Sequence, residues 1–319
     1  MSVPYAVLIT GGAGFIGSST AQLLLEKGHE VTVVDKTPRE SAWRLASIPI
    51  NNALRYVCMD LRDTNALKTL FATSRFDAII HLAAMVSVCE CEANESACFE
   101  NNVDVTQRLA ALALRDGVKR FVFASSAAVY GDSDALPLRE DTPTHPISNY
   151  GRSKLMAEDV IQGHNHAMTV TTLRYFNVFG PRQEDTAYAG VMTHFFKNSI
   201  MGLPHLINGD GEQTRDFVFV SDIAKVNAYF CEYPHAGVFN VATSEQLTIN
   251  KTSRLISASM KHECRVENRQ RKSCDIYRSC GDITRLKAVI PNWPFTSIES
   301  GIEQTASYFL DTEKVSKRI

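Results

Sequence analysis

The sequence predicts an α/β fold built on a doubly wound parallel sheet, and three observations carry that expectation. Short apolar runs of strand length alternate with helical patterns across the first half of the chain, the signature of right-handed βαβ crossovers. The first run, residues 6–9, breaks into a glycine-rich turn and resumes as a helical pattern through Ala21, Leu24 and Leu25. Small or polar residues then gather where each run stops: Gly11 to Gly17, Asp35, Asp60, Ala83 with Ala84, and Ser125 with Ser126. Those stops are the carboxyl ends of strands, where ligands of such sheets collect.

In the first turn, Gly11 and Gly12 permit a tight reversal, because a residue without Cβ tolerates φ > 0. Gly14 leaves room for a pyrophosphate near the backbone, and Gly17 lets helix and strand pack closely. Gly12-x-Gly14-x-x-Gly17, between strand and helix, is the dinucleotide fingerprint in its expected context. The positive end of the helix and its free N–H groups face the anion.

Gly28 ends that helix, and the second strand, residues 31–35, finishes on Asp35. A carboxylate about 20 residues beyond the glycines can accept both adenosine ribose hydroxyls and repel a 2′-phosphate, which favours NAD over NADP. Lys36 and Arg39 weaken that preference slightly. A third strand over 55–60 ends at Asp60, which either meets the adenine amino group or caps a helix over 65–71. The fourth strand, 77–82, runs into Ala83 and Ala84, small enough for a backbone to pass close to a cofactor. His81 within it reads as a core histidine. The segment 99–114 is expected to be helical, with Asn102 near its start, and 119–126 a fifth strand.

Tyr150 and Lys154 lie one helical turn apart on one face. An ammonium beside a phenol favours the phenolate and lowers the tyrosine pKa from about 10. Ser126 is placed to bond the same substrate oxygen.

Composition limits the partners. The 319 residues are 45% apolar and 21% charged, enough for one large unit or two domains. A formal charge of -2 gives no reason to expect nucleic acid or an anionic membrane. No apolar run reaches membrane-spanning length and the N-terminus carries no export signal, so a cytoplasmic location is expected. The eight cysteines show no zinc spacing and read as reduced thiols, with no metal site. The last residues, 313–319, read as a frayed end.

Five ordered motifs resemble the extended short-chain dehydrogenase/reductase family: Thr10-Gly-Gly-Ala-Gly-Phe-Ile-Gly17, Asp60-Leu-Arg-Asp63, His81-Leu-Ala-Ala84, Tyr150-Gly-Arg-Ser-Lys154 and Arg174-Tyr-Phe-Asn-Val-Phe-Gly-Pro181. The resemblance spans residues 5 to 290. It implies a Rossmann domain binding NAD, 1–175 with 218–243, and a smaller interleaved α/β domain binding a nucleotide sugar, 176–217 with 244–319. It implies Tyr150 as catalytic base with Lys154 and Ser126 as partners, and Asn102 holding the active-site helix through backbone contacts. The NAD contacts it implies are Gly11, Gly14, Phe15, Ile16, Gly17, Asp35, Lys36, Asp60, Leu61, Leu82, Ala83, Ala84, Asn102, Ser125, Tyr150, Lys154 and Tyr175. For the substrate, a UDP-sugar, they are Ser87, Ser126, Tyr150, Asn177, Val191, Arg215, Asp275 and Ser279. Arg215 suits a diphosphate because its fork matches phosphate oxygens; a salt bridge to Asp216 or Asp210 is the alternative.

Family dehydratases carry Asp-Glu after the catalytic serine. This chain has Ala127-Ala128, and methyl groups move no protons, so water elimination is excluded. The resemblance then points to NAD-dependent 4-epimerisation of a UDP-hexose or UDP-N-acetylhexosamine through a 4-keto sugar. A decarboxylase, a reductase and a non-catalytic NAD-sensing module are the other readings. Ser279 occupies the position where members restricted to plain hexoses carry tyrosine, which implies room for an N-acetyl group. The helices around 99–114 and 153–162 resemble the family's dimer interface and imply a homodimer.

Overall fold

A computed structural model describes residues 4–46, 48, 53–183, 190–263, 265–270, 276–290 and 293–316. The fold is α/β, as expected. A seven-stranded sheet is formed by β1 (Ala6–Thr10), β2 (Glu30–Asp35), β3 (Leu54–Cys58), β4 (Ala78–His81), β5 (Arg120–Ser126), β6 (Thr169–Tyr175) and β11 (Gly237–Val241), in the order β11-β6-β5-β4-β1-β2-β3. β1 pairs in parallel with β2 and β4, β2 with β3, and β4 with β5. The chain winds outward from β1 to β3, then returns to the other side of β1 as β4. That reversal is the topological switch point, where a crevice opens at the carboxyl ends of the strands.

The strands read as continuous apolar runs because helices cover them; Val7, Leu8 and Ile9 are fully buried. Against the sheet pack α1 (Phe15–Glu26), α2 (Thr64–Thr73), α5 (Val105–Arg115) and α6 (Asn149–Gln162). Leu67, Leu70 and Phe71 of α2, Leu109 and Ala113 of α5, and Ala157 and Ile161 of α6 join Leu8, Ile79, Phe121 and Phe123 in one core. Each large side chain buried there contributes about 1.5–3 kcal/mol.

The segment expected to be helical over 99–114 is helical throughout, but its winding is not uniform. A short α4 (Glu95–Phe99) passes into π-helical winding over Glu100–Asp104 before α5 begins. The wider turn directs Asn102 inward, where its Oδ1 accepts from Met85 N and its Nδ2 donates to Met85 O and Ser153 Oγ. A side chain with three tertiary hydrogen bonds outweighs the regular helical ladder at that turn.

The chain divides into two compact units. The first comprises Met1–Val129, Pro146–Arg174 and Ile223–Phe239; the second comprises Tyr130–His145, Tyr175–Asp222 and Asn240–Ile319. The expected division therefore shifts, with 130–145, 175, 218–222 and 240–243 falling in the second unit. The reason is backbone pairing: Leu138 N donates to Cys280 O, and Asp282 N to Leu138 O. Asn240 reinforces this, accepting from the Tyr130 hydroxyl and donating to Leu138 O.

The second unit is itself α/β. Its strand pairs are β7 (Asn177–Phe179) with β10 (Phe217–Phe219), β8 (His205–Asn208) with β13 (Val266–Arg269), and β9 (Thr214–Arg215) with β12 (Leu247–Thr248). Helices α7 (Val191–Met201), α9 (Ile249–Ser259) and α11 (Ile298–Ser316) close a core containing Phe179, Phe195, Phe196, Phe219, Ile256 and Ile302. The C-terminal segment expected to fray is helical through Ser316; 317–319 lie outside the described residues.

Candidate active site

In the first unit, β1 passes to α1 through a turn that only glycine allows. Gly11 sits at φ +67°, and a Cβ on it would lie 2.8 Å from Ala83 N. A Cβ on Gly17 would lie 2.2 Å from Gly11 O, so the turn folds directly onto the helix. Phe15, Ile16 and Gly17 form the first turn of α1. Gly14 offers that helix no side-chain cap, and no acidic residue stands in its first turn. Backbone N–H groups there lack intrahelical acceptors, and the turn suits a phosphate.

A recess opens beside this turn, lined by Gly11, Val34, Asp35, Lys36, Met59, Asp60, Leu61, Ala83, Ala84, Asn101 and Val105. Asp35 stands at its rim with a fixed carboxylate, Oδ2 accepting from Ala13 N at 3.1 Å and Oδ1 from Thr37 N at 3.0 Å. Asp60 is held below the usual carboxylate range by its hydrogen bond from Arg62. It does not cap the following helix. Asp63 does, accepting from Asn65 N and Ala66 N. Leu82 leaves β4 with its N–H on Thr10 O. The glycine cradle, the uncapped helix end and the rim carboxylate together fit a dinucleotide. Asn102, expected on the cofactor, is 1% exposed and fully engaged with Met85 and Ser153. Its neighbour Asn101 lines the recess instead, which the π-helical winding explains and helical periodicity does not.

The residues expected to transfer protons meet where α6 crosses the end of β5. Ser148 caps α6 by accepting from Gly151 N, and a Cβ on Gly151 would lie 2.6 Å from Ala128 O, so helix and turn touch. Lys154 Nζ donates to Ala124 O at 2.9 Å and lies 6.0 Å from the Tyr150 ring centroid. The Ser126 hydroxyl hydrogen-bonds the Tyr150 phenol and accepts from Ala128 N at 3.1 Å. Tyr150, Lys154 and Ser126 are thus brought together.

Their acidities differ from expectation. Burial pushes the Tyr150 phenol up to about 12, with the Ser126 hydrogen bond opposing it. Burial also pushes the Lys154 ammonium down to about 8. The expected lowering of the tyrosine by its lysine is overturned, because loss of hydration dominates over a cation 6.0 Å from the ring centre. His81 is the core histidine expected: buried, bonded to Thr10 and Thr106, and pushed down to about 3 by burial. Ser125 gives its hydroxyl to Glu158, and Ser87 caps α3 (Val88–Ala93) by accepting from Glu90 N.

In the second unit, Tyr175 is buried at the end of β6, Val191 opens α7, and Asn177 Nδ2 donates to Asp216 O. Arg215 lies on β9, whose Thr214 N donates to Tyr277 O. The Asp216 carboxylate accepts from Thr243 N, the Thr243 hydroxyl, Ser244 N and Gly281 N. These bonds fasten the segment carrying Ser279, itself 7% exposed, to the strand carrying Arg215. Asp275 lies outside the described residues.

Comparison with known proteins gives a consistent result. The model of the NAD-dependent epimerase/dehydratase family matches residues 7–242. A UDP-glucose 4-epimerase of Mycolicibacterium smegmatis is 32% identical over 308 residues, covering 95% of this chain and 97% of the relative. A UDP-N-acetylglucosamine 4-epimerase from Methanobrevibacter ruminantium, solved with UDP-N-acetylmuramic acid, superposes with a TM-score of 0.90 at 32% identity. That match covers 98% of this chain and 100% of the other. The UDP-glucose 4-epimerase of Thermus thermophilus, solved with NAD, superposes with a TM-score of 0.87 at 30% identity over 96% and 99% of the two chains.

Proposed function

The chain belongs to the NAD-dependent epimerase/dehydratase family, and from that premise we propose that it is an enzyme that epimerises a UDP-sugar at C4 with NAD as resident cofactor. The observation that carries this reading is the meeting of Tyr150, Lys154 and Ser126 at the end of β5, in the unit that also holds the glycine cradle. When bound, NAD would supply the acceptor, and later the donor, of the hydride at the sugar carbon. Gly11, Gly14, Gly17 and the first turn of α1 hold its pyrophosphate, and Asp35 its adenosine ribose.

Tyr150 takes the proton of the sugar 4-hydroxyl while hydride leaves C4. Only the phenolate can do so: with burial holding the phenol at about 12, the Lys154 ammonium and the Ser126 hydroxyl stabilise the phenolate, which becomes phenol as it accepts the proton. The 4-keto sugar turns and receives hydride on its other face, and the proton returns from Tyr150. Asn177 and Arg215 hold the diphosphate. Ala127 and Ala128 supply no acid or base for dehydration.

The small Ser279 leaves space for an acyl group, so UDP-GlcNAc and UDP-GalNAc are interconverted alongside UDP-glucose and UDP-galactose. The enzyme is a homodimer paired through α5 and α6; the outer face of α6 presents Met156 at 47% exposure, which supports burial against another copy. It works in the cytoplasm. No described helix is long and apolar enough to cross a membrane, and the six cysteines described are free thiols.

Incubation of the purified protein with UDP-glucose and with UDP-GlcNAc, followed by chromatography for the galacto-isomers, tests the reading. Both should form. Ser279→Tyr should lose the N-acetylated conversion and keep the plain one; unchanged rates on UDP-GlcNAc would remove Ser279 from its role.

A further inference from the structure

Glu158 and Arg174 take no part in the chemistry above, yet both are charged groups buried behind it. Glu158 follows Lys154 by one turn of α6 and Tyr150 by two, so the three side chains share a face, and it is 1% exposed. Arg174, on the strand next to β5, is 5% exposed. Its Nε donates to Glu158 Oε1 at 3.0 Å and its Nη2 to Oε2 at 2.7 Å, a bidentate fork. Glu158 Oε1 also accepts from the Ser125 hydroxyl.

Three consecutive residues of β5 are therefore gripped from one face of α6. Lys154 holds the Ala124 carbonyl, Glu158 the Ser125 hydroxyl, and Tyr150 the Ser126 hydroxyl. Buried ion pairs contribute little net stability, and apolar residues of like volume often replace them without loss. Such a pair at this register is better explained by what it does to its neighbours.

We propose that the Glu158–Arg174 pair is a positioning device for proton transfer: it locks the end of β5 so that Ser126 meets Tyr150, and it fixes a carboxylate one helical turn from Lys154. The inference rests on the epimerase reading for its consequence in turnover, but not for its electrostatics. The groups facing Lys154 are Tyr150 and Glu158 on its own helix, His81 on β4, Cys91 on α3 and Cys98 on α4. Burial pulls the ammonium down, and Cys98, Glu158 and Cys91 oppose that pull. Cys98 comes first among the opposing groups and Glu158 second; His81 is uncharged, and Glu158 is the carboxylate in this set.

The test compares the wild-type enzyme with the double variant E158Q/R174M, which removes both buried charges and leaves neither unpaired, and with Glu158→Asp, which keeps the carboxylate. Lys154 is titrated by NMR on lysine-labelled protein, assigned with Lys154→Arg, and kcat and KM are measured across pH. In the double variant Lys154 should lose its proton at lower pH than in wild type. Its kcat should fall about tenfold to a hundredfold, with KM changed less than about threefold. Glu158→Asp should keep the wild-type Lys154 titration while losing kcat, because the shorter side chain releases Ser125. Wild-type titration and kcat in a folded double variant would overturn the proposal. If that variant does not fold, a Glu158→Asp enzyme with shifted titration or unchanged kcat overturns it instead. A wild-type protein inactive on UDP-sugars would sink the epimerase reading alone, leaving the titration to judge Lys154.

Discussion

Lys154 is the residue where the proposed function works against stability. Its ammonium, 3% exposed, is pushed from 10.5 to about 8 by burial. The folded state thus holds the proton less tightly than the unfolded chain. That cost is fully present below about pH 8 and shrinks as pH rises toward 10.5. Lys154→Met should accordingly be more stable than wild type at pH 7, by up to about 3 kcal/mol, and inactive. Urea melts at pH 7 and pH 10 check this, and the advantage should be smaller at the higher pH. Tyr150→Phe should fold like wild type and bind nucleotide sugar while losing about 10²–10⁴ in kcat; activity within tenfold of wild type would remove Tyr150 as the base. The identities of these residues are legible in the sequence because Tyr150 and Lys154 are fixed by spacing on one helix. Their acidities are not, because burial depends on what the rest of the chain packs around them.

At the scale of elements, the strand–turn–helix at the N-terminus is the most legible part, since every glycine in it has a local steric reason. Gly17→Ala should cost about 1–3 kcal/mol through overpacking against Gly11 O and abolish NAD retention; denaturation midpoint and cofactor content after purification report both. A variant that keeps its NAD would show that the turn is not the cradle. The segment 95–115 is the least legible. Its apolar period continues through the π-helical winding, and only the tertiary partners of Asn102 reveal where the winding widens. For the same reason Asn101, one residue earlier, is missed from the recess. Asp60 and Asp63 illustrate a smaller ambiguity: both precede the helix, and only the observed bonds to Asn65 N and Ala66 N assign the cap to Asp63.

At the scale of the molecule, the order of strands follows from alternation and handedness, but the division into units does not. Residues 130–145 follow β5 directly in sequence, yet their backbone partners lie at 280–282, far along the chain and without a local signal. Sedimentation at micromolar concentration should give a dimer, and Met156→Asp should shift it toward monomer; a wild-type monomer would contradict pairing through α6. In the proposed cycle hydride leaves C4 and returns to the same carbon without meeting solvent. UDP-glucose carrying deuterium at C4, converted by the purified enzyme in ordinary water, tests it most directly. UDP-galactose with the deuterium retained at C4 is expected; product carrying solvent hydrogen there, or no epimer at all, would rule that cycle out.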